Sequence, residues 1–185
     1  DSVYGYARKP EYMVNASVLE YQLYAANKQV TPEAIQRVKR SNARIDAKSK
    51  DKNANSSDWQ VRQGFEPRAL WAADTRWTQE KLPLLVRAMV LADGKLYTAG
   101  PPALADETAA FFEPDAPANR QALAEQEAAW EGKKGGFLRV LSASDGEKLT
   151  EYKLESVPVW DGMAAANDRL YMATIDGKVV CFDKQ

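Results

Sequence analysis

Tryptophans are the residues of this sequence best suited to binding chemistry. Their flat, amphipathic rings can stack on a sugar or a quinone, and they can also fill the interfaces between packed strands. The second role is the more common one, so we expect most of them to be structural. The five are Trp59, Trp71, Trp77, Trp130 and Trp160. Trp160, directly before Asp161-Gly162, is the best candidate for an exposed ligand or partner contact, followed by Trp77 and Trp130.

The composition excludes the commonest catalytic constellations. The chain contains no histidine, which removes Ser-His-Asp and Cys-His sites together with the usual general base and zinc ligand. The single cysteine, Cys181, cannot form an internal disulfide. It lies in the alternating run Lys178–Phe182, so we predict a small buried strand residue rather than a reactive thiol. No catalytic residue is predicted.

Two acidic pairs could form an acid/base pair or a calcium loop: Asp106 with Glu107, and Glu113 with Asp115. Neither lies in the Asp-x-Asp-x-Asp-Gly spacing of a calcium loop. We therefore interpret them as solvated surface residues and predict no metal. The net charge of −1 gives no reason to expect nucleic acid as a partner. The apolar runs are also far shorter than the roughly 20 residues of a membrane span.

Two segments of the chain repeat one pattern. MVLADGKLYTAG (89–100) and MAAANDRLYMAT (163–174) share a Met, small apolar residues, a polar two-residue turn, a basic residue and Leu-Tyr. Asp93-Gly94 and Asn167-Asp168 tolerate the positive φ of tight hairpin turns. Both segments are therefore predicted to be β-hairpins.

A second element of the repeat follows each hairpin. GFLRVLSASDGEKLTEYKL (136–154) predicts a strand, an Asp145-Gly146 turn and another strand, and TIDGKVVCFD (174–183) repeats its beginning. Without segment 101–136 the period is about 40 residues, the length of a four-stranded propeller blade. The last copy stops after its third strand. We expect the missing outer strand to come from another part of a longer protein or from another chain.

Two segments are predicted to be helical insertions. Thr31-Pro32-Glu33 is a good helix start, with Thr at the N-cap and Pro at the first helical position, and a polar loop is predicted over 46–58. The second insertion contains a predicted helix over 117–130, with Asn119 as candidate N-cap and Gly132 as candidate stop.

GFLRVLSASDGEKL (136–149) resembles the repeat of pyrroloquinoline-quinone-type β-propellers, a Gly-x-Leu-x-Ala-Leu-Asp-x-x-Thr-Gly-Glu pattern that links a middle and an outer strand. Residues 146–148 fit the pattern, whereas Ser142, Ser144 and Asp145 replace its usual Asp and Thr. NDRLYMATIDGKVVCFD (167–183) is similar to the preceding half of the same repeat. Segments 3–26 and 84–102 more loosely resemble the C-terminal blades of large quinoprotein-like bacterial proteins. The main resemblance covers roughly residues 84–100 and 135–183, less than half of the chain.

The resemblance implies a fold rather than an activity. Such propellers include alcohol dehydrogenases that use the quinone and calcium, and also scaffolds without catalysis. The dehydrogenases hold the quinone with a stacking Trp and a vicinal disulfide, and they bind calcium through acidic and Asn ligands. Cys181 alone cannot form a vicinal disulfide, and no position here matches the calcium ligands. We therefore predict no cofactor.

The predicted fold class is all-β, with antiparallel four-stranded propeller blades that form a partial propeller with two helical inserts. A closed ring of seven or eight blades requires roughly 300 residues or more, so we expect a longer parent protein or association of copies. The predicted segments are a strand-like N-terminal part (1–30), a helical insert and polar loop (31–58), blade strands (59–100), an acidic helical insert (101–134), and a final blade with a closing half-blade (135–185).

The leading functional hypothesis is a non-catalytic binding or scaffold module of a periplasmic or secreted bacterial protein. Its expected partners are the remaining blades of a longer chain or other protein subunits, with no nucleic acid and no membrane span. The alternative is a part of an oxidoreductase that depends on pyrroloquinoline quinone and calcium, with its active site in blades outside this chain. A carbohydrate-active propeller is a third possibility.

Overall fold

The computed structural model describes residues 2–9, 12–13, 16–17, 20–49 and 71–183. Trp59, most of the predicted polar loop and the first part of the strand-like segment 59–74 lie outside the described residues. The chain divides into two compact units, Asp1–Lys81 and Leu82–Gln185. Among the described residues, no helix is long and apolar enough to cross a membrane.

In its described residues, the first unit combines a three-stranded antiparallel sheet with one long helix. The elements are β1 (Ser2–Arg8), β2 (Tyr12–Met13), β3 (Ala16–Ser17), β4 (Tyr21–Asn27), α1 (Pro32–Ser49) and β5 (Thr75–Glu80). The sheet has the order β1-β4-β5, and its central strand is buried on both faces at Leu23, Ala25 and Ala26. A separate pair of short strands is formed by β2 and β3.

A buried lysine joins the strands of the first unit at one end. The Lys9 Nζ atom lies 2.6 Å from Glu20 and 2.9 Å from Glu80, so it connects the chain after β1 with β4 and β5. Burial lowers the pKa of Lys9, but hydrogen bonds and attraction to the two carboxylates outweigh it and raise the pKa overall. Lys9 is therefore charged and acts as a structural ion-pair partner.

The second unit contains two antiparallel sheets, each with its strands in chain order. The elements are β6 (Ala88–Ala92), β7 (Lys95–Gly100), α2 (Glu107–Phe112), α3 (Pro117–Trp130), β8 (Gly136–Ser142), β9 (Lys148–Leu154), β10 (Pro158–Ala166), β11 (Arg169–Thr174) and β12 (Val179–Phe182). The first sheet has the order β6-β7-β8-β9 and the second the order β10-β11-β12. Two helices, α2 and α3, lie in the connection between β7 and β8.

The predicted hairpin repeat is confirmed. Asp93 and Gly94 have φ values of 49° and 66°, and Asn167 and Asp168 have values of 51° and 60°, the backbone that two-residue hairpin turns require. The turn at Gly146 is also present, with φ at 79°. Each predicted strand pair therefore forms, and the first repeat builds a complete four-stranded sheet.

The two sheets of the second unit pack face to face. Their shared core consists of Ala99, Leu138, Leu170 and Met172, all nearly inaccessible to solvent. The first two residues belong to β7 and β8, and the other two to β11. The packed faces bury the apolar side chains that alternate along each strand, and this burial is the main stabilising contribution to the unit.

The helices agree with the sequence patterns, apart from three details. The backbone N–H of Ala34 donates to Thr31 Oγ1, which confirms the cap of α1, but α1 runs to Ser49, so the predicted loop cannot begin at residue 46. The second insertion contains an additional helix, α2, which the pattern did not predict. The assignment of Asn119 as N-cap is wrong: Ala116 occupies that position, and Pro117 begins the helix.

The Asn119 amide instead donates to the backbone oxygen of Glu113 at 2.8 Å, across the turn between the two helices of the insert. At the other end of α3, Gly132 follows the cap residue with φ at 85°, as expected of a glycine that stops a helix. Pro117 fixes the first turn without a side-chain cap, which explains why the helix begins before Asn119.

The prediction that Cys181 is buried is wrong. Its side chain is exposed, although it does lie in a strand. Among the described strands, β12 pairs with β11 alone, so no further strand covers its outer edge.

The described residues thus form a mainly β protein of antiparallel sheets with three helices. Within this part of the chain the sheets do not close into a ring.

Candidate functional site

Two tryptophans and one arginine form a compact cluster in the second unit. The rings of Trp130 and Trp160 stack at 5.8 Å between centroids, with 29° between their planes. The Arg87 guanidinium carbon lies 4.8 Å from the Trp130 ring centre and 5.6 Å from that of Trp160. These distances are in the range of cation–π interactions. Arg87, Trp130 and Trp160 are called the Trp–Arg cluster below.

Three separate elements position the cluster. Trp130 is the last residue of α3, and Trp160 lies near the start of β10. Arg87 precedes β6, where its backbone N–H donates to Ala99 at 2.9 Å and its carbonyl accepts from the Asp161 N–H at 3.1 Å. These two backbone bonds attach the arginine to both sheets of the unit. The position of its side chain is therefore fixed by the sheet packing.

A bulge in β10 directs Trp160 toward solvent. The pairing of β10 with β11 shifts register between Pro158 and Met163, and Asp161 has a positive φ of 53°. Bulges commonly turn a side chain away from the regular alternation of a strand. The Trp160 side chain is 66% exposed, in keeping with its place before Asp161-Gly162.

The Arg87 side chain is held by backbone and aromatic contacts without a carboxylate partner among the described residues. One terminal nitrogen donates to the backbone oxygen of Trp130, which is a free carbonyl at the end of α3. The Nε atom is buried and makes no hydrogen bond in the described part of the chain. Burial lowers the pKa of the Arg87 guanidinium, yet an arginine remains charged at neutral pH.

The arrangement is suited to binding rather than to acid–base chemistry. Trp130 and Arg87 support Trp160 and restrict its rotation, while much of its surface stays open to solvent. A rigid, amphipathic ring loses little conformational entropy when it contacts a partner. The neighbouring guanidinium adds a positive charge for acceptor groups next to that contact. The cluster can therefore bind a flat apolar group with an adjacent hydrogen-bond acceptor.

The structure brings together two of the three tryptophans that the sequence singled out. Trp77 lies on β5 in the first unit, where its ring is tilted against Tyr4 at 6.0 Å. Trp71, also in the first unit, forms a T-shaped pair with Tyr24, with 4.9 Å between the ring centroids. Both are half-buried, in accord with the structural role expected of most of the tryptophans.

One residue of each acidic pair makes a local structural contact. Asp106 caps α2 by accepting the Ala109 N–H at 2.8 Å, and Asp115 lies 3.9 Å from Arg120. Among the described residues, no group of three or more Cys, Asp or Glu side chains could hold a metal ion.

Arg87 is the residue of this site that the sequence reasoning missed. It is the one charged residue in the apolar run LLVRAMVL (84–91). A lone charge in such a run must find compensating contacts if it is buried, and this was the available signal. Its partners could not be named from sequence, because they lie on α3 and β10.

The fold and the cluster together define a β-sheet protein with an exposed aromatic contact surface. No model of a known family, no curated protein and no solved structure matches the chain. The geometry of the described residues therefore carries the functional argument.

Replacing Arg87 with alanine is expected to loosen the cluster. The change removes the contacts to both rings and the bond to the Trp130 carbonyl, so the free energy of unfolding should fall by about 1–2 kcal/mol. Urea unfolding measures this loss, and iodide quenching of tryptophan fluorescence should increase as Trp160 becomes mobile. Arg120→Ala, on the exposed face of α3, is the matched control and should cost less than about 0.5 kcal/mol. Equal stability of the two variants would contradict the assigned role.

Proposed function

We propose that this chain is a non-catalytic binding or scaffold module, built from quinoprotein-like β-propeller blades of an extracytoplasmic bacterial protein. The observation that carries the binding role is Trp160, exposed for two thirds of its surface and supported by Trp130 and Arg87. An exposed large aromatic ring held in one orientation is typical of an interface anchor.

The sheet arrangement supports the propeller part of the proposal. Two consecutive meander sheets pack face to face, and their innermost strands, β6 and β10, lie next to each other. Each sheet begins with the same hairpin. The segments that resemble propeller repeats, 84–100 and 135–183, contain these strands. The same resemblance favours a periplasmic or secreted bacterial protein.

The helical insert supports a role in recognition. It leaves the first sheet after β7 and returns at β8, and its last helical residue, Trp130, stacks on Trp160 of the second sheet. An insert that served only as a connection would not need to reach the neighbouring sheet. Here it completes an aromatic surface on the sheets, as functional loops on rigid scaffolds commonly do.

We infer that the partner is a protein surface that contributes an apolar side chain to Trp160 and a carbonyl or carboxylate oxygen near Arg87. Trp and Arg are the residue types enriched among the few that dominate interface energies. The cluster combines both within one contact. It has the composition of an interface centre.

Trp160→Ala is expected to weaken partner binding by about 2 kcal/mol, close to a thirtyfold rise in Kd. The measurement is chemical cross-linking in the native cell extract with the wild-type chain, followed by titration of the identified partner against both forms. Phe112→Ala is the matched control, because Phe112 is an exposed aromatic residue on α2 that packs against Phe111. Loss of the partner in both variants, or in neither, would argue against Trp160 as the anchor.

The same material tests the non-catalytic part of the proposal. The intact source protein is incubated with pyrroloquinoline quinone, calcium and alcohols while reduction of an electron-accepting dye is followed. We expect no turnover above the rate without protein. Sustained dye reduction that depends on the quinone would overturn the scaffold role in favour of an oxidoreductase.

A further inference from the structure

The second sheet repeats the first strand by strand but has one strand fewer. Leu96 and Tyr97 of β7 correspond to Leu170 and Tyr171 of β11, and β12 corresponds to β8. In the first sheet β9 pairs with the outer edge of β8. Among the described residues no strand occupies the same place beside β12. Within the described part of the chain, the outer edge of β12 therefore presents backbone groups without a strand partner, and an added strand can pair with them.

A groove of about 830 Å³ lies next to this edge, between the two sheets. Val140, Thr150 and Tyr152 line it on the first sheet, and Leu170 and Phe182 line it on the second. Cross-strand pairing puts Tyr152 opposite Leu138 and Thr150 opposite Val140, so β9 turns this face toward the second sheet. Yet Tyr152 is 54% exposed. The face of β9 thus extends beyond the described strands of the second sheet that pack against it.

The spacing of strands and sheets places an added strand in the part of the groove between β9 and β12. Neighbouring strands lie about 4.8 Å apart and packed sheets about 10 Å apart, so a strand added beside β12 would lie opposite β9. The added strand would extend the second sheet, and its groove-side residues would lie beside Val180 and Phe182 on β12. Leu138, Leu170 and Met172 already fill the space between the inner strands. The groove also runs along the β6–β7 and β10–β11 turns at Asp93 and Asp168, and an outer strand would close its part between β9 and β12.

We propose that the open edge of β12 binds an extended segment antiparallel to it, which becomes the fourth strand of the second sheet and fills this groove. Main-chain hydrogen bonds to β12 would supply affinity, and alternate side chains entering the groove would supply specificity. This site is separate from the Trp–Arg cluster and does not depend on it.

The internal repeat also specifies one side chain of the incoming segment. In the first sheet Arg139 of β8 pairs with Glu151 of β9, at 2.7 Å between Nε and Oε2. In the second sheet Val180 takes the place of Arg139. A carboxylate opposite Val180 would lose its ion-pair partner, so the bound segment must carry an apolar residue there. We infer that the bound segment resembles β9 in sequence but carries an apolar side chain at the position that corresponds to Glu151.

Cys181 makes the register measurable, because it corresponds to Val140, which pairs with Thr150. The probe is a synthetic peptide of residues 147–155, EKLTEYKLE, with Thr150→Cys and Glu151→Val. In glutathione buffer it should form a mixed disulfide with Cys181 of the intact chain, because directly opposed residues bring their Cβ atoms close. A register-control peptide carries Glu151→Cys with Thr150 unchanged. We expect at least about a tenfold lower adduct yield from it, since that thiol faces the groove.

Equal yields from the two peptides would overturn the proposal, because they would show random thiol exchange. A disulfide-linked dimer of the chain that persists in excess peptide would also overturn it, with a second copy as the occupant. Val180→Lys in the chain should abolish trapping, because Val180 shares the groove-side face with Phe182. Val179→Lys, on the opposite face and 71% exposed, is the matched control and should retain trapping. Circular dichroism confirms that both variants are folded.

Discussion

Replacing Leu138 with alanine is expected to lower the free energy of unfolding by about 2–5 kcal/mol, the range seen for buried leucines in packed cores. Leu138 lies on β8, is only 2% exposed and belongs to the core that joins the two sheets of the second unit. Its neighbours Ala99, Leu170 and Met172 belong to strands with backbone pairing on both sides. They can move little to fill the cavity, so we expect the loss to fall in the upper half of that range.

The measurement is urea unfolding followed by circular dichroism. Leu149→Ala is the matched control: it makes the same change on the adjacent strand β9, at a side chain that is 51% exposed. That variant should lose less than about 1 kcal/mol. A loss for Leu138→Ala no larger than for Leu149→Ala would mean that the two sheets are not packed as described.

Gly100→Ala is expected to cost about 3 kcal/mol or more, because the added methyl group meets backbone rather than a side chain that can rotate. A Cβ atom at Gly100 would overlap the carbonyl oxygen of Leu85 and lie 2.9 Å from its carbonyl carbon. The strand end at Gly100 and the segment before β6 are held together by two 2.9 Å bonds, from Leu85 to Pro101 and from Arg87 to Ala99. The methyl group can be accommodated only if this pairing separates.

The same substitution should disturb the Trp–Arg cluster at a distance. Arg87 owes its position to its backbone bond with Ala99, so separation at Gly100 displaces the guanidinium from Trp130 and Trp160. We expect a red shift of tryptophan emission together with the stability loss. Gly94→Ala is the control. It has a positive φ of 66° but nothing within 4 Å of the added carbon, so it should cost only about 1–2 kcal/mol of backbone strain and leave the emission unchanged. Similar losses in both variants would refute close packing at Gly100.

The two predictions link stability to the contact surface. Packing at Gly100 and the position of Arg87 depend on each other. The segment that carries Arg87 forms backbone hydrogen bonds with β7 and, through Asp161, with β10. A substitution that separates the sheets therefore also changes the orientation of the Trp160 side chain. The edge of β12 belongs to the outer part of the same interface, where packing stops before the full width of β9 is covered. Binding at that edge would complete an interface that the described residues leave partly open.

Local sequence determined the turns, the hairpins and most of the helix limits of this protein. Asp93-Gly94 and Asn167-Asp168 adopt positive φ because short polar residues and glycine tolerate that backbone wherever they occur. Pro117 begins α3 for a similarly local reason, since its fixed φ suits the first helical turn. Alternation of apolar residues identified the strands from β6 onward. These features depend on neighbours within a few positions, and the sequence contains that information directly.

Tertiary structure alone decided which side chains meet. Trp130 and Trp160 were each candidates, but their stacking depends on the path of the insert from β7 to the second sheet. Arg87 became the centre of the cluster because two backbone bonds attach it to strands distant in the chain. The alternation of its neighbours predicted that Cys181 is buried, yet its side chain is exposed. Periodicity shows which residues share a face of a strand, but it does not show whether another element covers that face. Coverage depends on strand order and on long-range packing, and these are properties of the assembled sheets.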